Sequence, residues 1–151
     1  MRLARCSSSG GYKGEWVSSP LRRVNNSPYL LTNVASECAL HGSREVAIEI
    51  LEDGKARFCN YDILMSLGEL YMVDGDLKQA ESNFRLAAYM IPVRFLPHQS
   101  LFELYLFKQD SIAANEEAKL IVNMPVKIES SEIERIKLEA ALFIKNSEKR
   151  Y

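Results

Sequence analysis

Apolar residues recur at spacings of three and four through the middle of the chain, where Leu64, Leu67, Gly68, Leu70 and Tyr71 trace one face. That period predicts an amphipathic α-helix. Gly75 stops it, because glycine tolerates the left-handed conformation that closes a helix. Asp76 can cap a second helix, with Gln79 at the capping-box place. Ala80, Phe84, Ala87 and Ala88 share one face of this second helix, and Pro92 closes it, since its ring cannot continue the turn. The prediction is a helical hairpin.

Weaker copies flank it. Upstream, Leu31, Val34, Ala35 and Cys38 precede a stop at Gly42, and Ala47 and Leu51 follow on a partner helix. Gly42 to Gly75 and Ala47 to Ala80 are both 33 residues, while Ala80 to Ala114 is 34. Downstream, Leu101, Phe102 and Tyr105 repeat the first helix, Lys108 to Ser111 supply a turn, and Ala114 and Ala118 lie on the second. Phe102 stands where Gly68 stood, so the third hairpin should pack less tightly. After Pro125, Ser131 and Glu134 read as a capping box. Ile133, Ile136, Ala140 and Ile144 trace the face of a last helix, with Lys145, Lys149 and Arg150 near its C-terminal end. Its opposite face carries Glu132, Arg135 and Glu139, as the cap of a helical stack requires.

The spacing of Leu67, Gly68, Tyr71, Ala80, Phe84, Ala87 and Pro92 resembles the tetratricopeptide repeat, with Leu64 in place of the usual tryptophan. In that pattern Gly68 and Ala80 let two helices approach, and Tyr71 and Phe84 fill the space around them. The implied fold is all-α: a tetratricopeptide-like helical solenoid of three hairpins and a C-terminal capping helix over residues 27–151. Three hairpins reach the number such stacks need for stability.

A narrower resemblance runs over residues 28–146. Pro92-Val93-Arg94-Phe95, Leu101-Phe102-Glu103-Leu104-Tyr105 and Pro125-Val126-Lys127 stand in the order seen in the C-terminal repeat domain of bacterial O-antigen ligase or polymerase family proteins, particularly those of Bacteroidetes. That family consists of inner-membrane enzymes that join or polymerise lipid-linked glycans. The resemblance implies an accessory domain of such a glycan-assembly protein, on a membrane side it does not specify, without the membrane region where glycosyl transfer occurs. A free-standing tetratricopeptide adaptor unrelated to glycans is the alternative.

Composition agrees with a soluble domain. The 151 residues are 47% hydrophobic and 26% charged, with a formal net charge of -1. No apolar run reaches the roughly 20 residues of a membrane helix, so no membrane insertion is expected. Nucleic acid is not an expected partner, since phosphate binding needs a clustered basic surface. Residues 1–26 are basic, with Arg2, Arg5, Lys13, Arg22 and Arg23 against Glu15. They lack a helical period and the apolar core of a signal peptide, and their Gly/Ser run predicts disorder.

No catalytic constellation stands out. Cys6, Cys38 and Cys59 lack metal or disulfide spacing, and His41 and His98 have no ligand-spaced companion. No nucleophile elbow, phosphate loop or carboxylate pair is present. The chain is expected to be no enzyme and to need no cofactor. Arg94 and Lys127, beside prolines between helices, can contact an anion, or can bond free helix-end carbonyls, with Phe95 a stacking partner for Arg94. A partner-binding concave face is expected from Asp62, Met65, Glu69 and Met72 of the middle hairpin and Gln99, Glu103 and Leu106 of the third. This acidic and apolar surface suits a protein or peptide partner bearing Lys and apolar anchors. Tyr29, Leu30, Val34 and Cys38 would form an apolar patch on the first helix and favour self-association there.

Overall fold

The computed structural model describes residues 27–126 and 130–148. The basic residues 1–26, Lys127, Lys149 and Arg150 lie outside them. Among the described residues there are seven α-helices and no strands: α1 (Pro28–Leu40), α2 (Arg44–Phe58), α3 (Tyr61–Asp74), α4 (Leu77–Met90), α5 (Phe95–Phe107), α6 (Ser111–Asn123) and α7 (Ser131–Glu148). Each helix packs against the next in sequence, and α1 also packs against α3. This is the packing of a helical repeat.

The ends of the helices follow local chemistry. Gly42 takes φ 81° after α1. Its N–H reaches Ala39 O at 3.1 Å, and Ser43 N–H reaches Cys38 O at 2.9 Å, which closes a Schellman motif. After α5 the same pair of bonds runs from Gln109 to Leu106 (3.0 Å) and from Asp110 to Tyr105 (2.9 Å). Here Gln109 holds the left-handed place at φ 59°. Asp76 and Asp110 cap α4 and α6 by accepting the Gln79 and Ala113 N–H groups at 3.2 and 3.1 Å. The last helix is capped one residue earlier than its sequence suggests. Ser130, not Ser131, accepts the Ile133 N–H at 3.3 Å, because Ser131 is already the first helical residue.

The core is organised around α3. Ile63 and Leu67 face one cluster with Ala35, Cys38, Ala47 and Leu51. Tyr61, Leu64 and Met65 face a second, larger cluster that runs through α4, α5 and α6 to Ile136 and Ala140 of α7. Cys38 is therefore core, and the apolar patch expected on α1 shrinks to Tyr29 and Leu30.

Gly68 marks the closest approach. A Cβ built on it would lie 2.3 Å from Phe84 Cε1 and within 2.8 Å of two further ring carbons. Gly54 of α2 is a second close approach, unremarked by the periodicity: a Cβ there would meet Leu31 Cδ1 at 3.0 Å and Ile63 Cδ1 at 3.2 Å. A glycine inside a helix costs about 1 kcal/mol of helix propensity, so its place is set by packing.

The third hairpin is not loosened by Phe102. Phe102 occupies the place of Gly68 and Ala118 that of Phe84, each 34 residues on, and both are buried. Large and small have exchanged sides. Phe102 also meets Phe143 of α7 edge-to-face, with ring centroids 5.3 Å apart, a favoured aromatic arrangement.

Gly68→Ala is predicted to destabilise the fold by about 3 kcal/mol, since a buried ring cannot yield cheaply to a new methyl. The penalty should shrink by about 1 kcal/mol or more in a Phe84→Leu background. Urea unfolding of the four proteins measures this coupling, and strictly additive losses would refute the contact as its source.

Candidate functional site

The exposed residues of the first helices of each hairpin define the candidate interaction face. Asp62, in the first turn of α3, is exposed, and its N–H is held by the Asn60 cap at 2.8 Å. Glu69, two turns on, is also exposed. Met65 is not available: it is 4% exposed and belongs to the larger core. Met72 is half-buried against the same core. The period predicts the face of α3 on which these methionines lie, but α5 packs onto that part of it.

On α5, Gln99 is half-buried and donates from Nε2 to Glu103 Oε1 at 2.9 Å. Glu103 is exposed, and Leu106 is 38% exposed. Arg94 is the N-cap residue of α5, and its guanidinium stacks over the Tyr61 ring at 4.6 Å. Neither Phe95 nor a helix-end carbonyl takes that role. Those partners belong to Lys137, whose Nζ lies 5.7 Å from the Phe95 ring and donates to Val122 O and Met124 O at 3.1 and 2.6 Å.

Three apolar residues missed by the sequence pattern complete the face. Leu40, Val73 and Phe107 stand 79%, 65% and 68% exposed, at the C-terminal ends of α1, α3 and α5. They are spaced 33 and 34 residues apart, the repeat period itself. Their signal was present in the sequence, but apolar residues in a periodic segment read first as core. Glu69 and Val73 lie four residues apart on one side of α3, as do Glu103 and Phe107 on α5, so each apolar end has an acidic neighbour.

An open groove of about 460 Å³ lies where α1, α2 and α3 meet, with Ala39, Leu40, Leu70 and Val73 as apolar wall and Ser36, Ser66 and Glu69 as polar lining. Arg44 at its edge is held by Asp74 at 3.4 Å. No cation among the described residues forms an ion pair with Glu69, and burial pushes its carboxyl above the usual carboxylate range.

Polar links elsewhere tie the hairpins together. Tyr71 donates to Glu52 Oε1 at 3.0 Å, and Tyr105 donates to Glu81 Oε1 at 2.9 Å. Both tyrosines reach back to the second helix of the preceding hairpin. Burial first, and then the carboxylate each one faces, pushes both hydroxyls up to about 12, so they remain donors at any physiological pH. Arg85 Nη2 donates to the Tyr105 hydroxyl at 2.8 Å, and Lys108 Nζ to Glu81 Oε2 at 2.8 Å. His98 Nδ1 lies 2.9 Å from Glu117 Oε2 between α5 and α6, a carboxylate partner that sequence spacing did not reveal. Among the described residues no group of three or more His, Cys, Asp or Glu is placed to hold a metal, and no helix is long and apolar enough to cross a membrane.

No family model and no curated protein matches the chain.

Glu69 generates a stability prediction. A carboxyl whose folded-state pKa is raised binds its proton more tightly when folded, so its contribution to stability falls as pH rises through that range. Glu69→Gln removes the desolvated charge. It should raise Tm at pH 7.5 and raise it less at pH 4, where the native carboxyl is protonated. Equal shifts at the two pH values would show that burial of the charge is not the cause.

Proposed function

We propose that this chain is a non-catalytic tetratricopeptide-type scaffold that binds a protein or peptide partner through the exposed face of its first helices. The supporting observation is the row of Leu40, Val73 and Phe107, left exposed at the repeat period beside the acidic Glu69 and Glu103. Large apolar side chains left in water at equivalent places of successive hairpins serve no core. Such surfaces mark interaction sites. On this reading the face is the concave side of a helical solenoid, with Asp62 and Leu106 extending it and α7 closing the stack.

The parent setting we propose is a glycan-assembly membrane protein of the O-antigen ligase or polymerase kind, supported by Pro92-Val93-Arg94-Phe95 and Pro125-Val126-Lys127. Bait capture from bacterial envelope extract tests both parts. The native chain should retain a partner that a chain with Asp62, Glu69 and Glu103 reversed to lysine releases. A glycan-assembly component among the captured proteins supports the parent setting, whereas a partner from outside the envelope favours the free-standing adaptor. Identical capture by the two baits would remove function from this face.

Self-association through the first hairpin is supported by Tyr29 and Leu30, 70% and 41% exposed at the start of α1. Sedimentation should show a dimer that grows with concentration and is lost on Tyr29→Ser with Leu30→Ser. A strict monomer across the range would discard the idea.

A further inference from the structure

We infer that the groove between α1 and α3, continued onto α5, binds an extended peptide segment in which Lys or Arg residues recur about every third position between aliphatic ones. The inference rests on the interaction-scaffold reading and specifies its ligand.

Charge complementarity identifies the occupant. Glu69 lines the groove with no ion-pair partner among the described residues, and Arg44, the cation at its edge, is engaged by Asp74. A carboxylate partly removed from water gains from a cation that approaches it, because the interaction is less screened there than in bulk solvent. Its raised pKa is the mark of that uncompensated burial. Glu103 repeats the arrangement one period on, and its Oε1 accepts from Gln99, a neutral donor that leaves the charge uncancelled. An acidic or neutral ligand would leave both carboxylates uncompensated.

The apolar partners set the remaining pattern. Leu40 and Val73 flank the groove from α1 and α3, and Phe107 extends the row onto α5. Packed helices lie about 9 Å apart, and an extended chain advances about 3.3 Å per residue. Successive contacts along the row therefore fall about three residues apart. A segment with this period places one aliphatic side chain against each apolar end and one cation against each glutamate.

The test uses the full chain and a labelled probe peptide, acetyl-Leu-Lys-Ala-Leu-Lys-Ala-Leu-amide, followed by fluorescence anisotropy. Matched probes carry Glu for Lys, or Ser for Leu. The Lys probe should bind about tenfold more tightly than either, with affinity falling as salt rises. Glu69→Gln, predicted above to be no less stable than the native chain, should weaken the Lys probe about tenfold, and Val73→Ser should weaken it several-fold. Glu103→Gln provides a second, independent variant. Equal binding of the Lys and Glu probes, or indifference to both glutamate variants, overturns the proposal. So does displacement of the probe by self-association as protein concentration rises, which would assign the groove to a second copy. If envelope capture still depends on the acidic face while the probes fail, the scaffold reading stands and only this ligand class falls.

Discussion

The contact between Gly68 and Phe84 is the constraint from which the architecture follows. The ring occupies the volume a side chain at position 68 would fill, so α3 and α4 come together at a distance only glycine allows. That closeness lets α3 bury two flanks at once. One flank serves the cluster shared with α1 and α2, and the other serves the cluster shared with α4 to α7. A wider hairpin would leave one flank partly open, because side chains of fixed size cannot fill a widened gap. The cost would be paid in cavity energy rather than in local helix stability.

The third hairpin solves the same packing problem with the sizes reversed. Phe102 and Ala118 replace Gly68 and Phe84, and both are buried. Close packing thus depends on the sum of the facing volumes and not on which helix supplies the large side chain. The tyrosine hydroxyls repeat a polar version of this logic. Tyr71 and Tyr105 each carry a donor back to a carboxylate on the preceding second helix. Each of these tyrosines adds a directional hydrogen bond to packing that is otherwise non-directional.

With α3 filled on both flanks, the residues left over at the repeat period acquire meaning. Leu40, Val73 and Phe107 project from helix ends that no neighbouring helix covers, beside carboxylates without a matching cation. An apolar strip with one sign of charge sorts its ligands twice, by the area it can bury and by charge. Both preferences point to a basic, aliphatic segment.

The sequence by itself determined the helices, their order and most of their ends. Spacing of three and four, glycines at left-handed stops, and Asp76 as a cap are local features, and local hydrogen bonding settles them. It also specified Gly68 and Phe84 as special through their places in the period. It did not reveal that Gly54 is a second close approach, that Met65 and Met72 turn into the core, or that Arg94 stacks on Tyr61 while Lys137 takes Phe95. Those outcomes are decided by which helix lies beside each residue, and helix-to-helix placement is a property of summed packing. Nor does the period alone separate an exposed Val73 from a buried Leu67 on the same helix. Both are apolar, and only the position of α1 and α2 decides which one meets water.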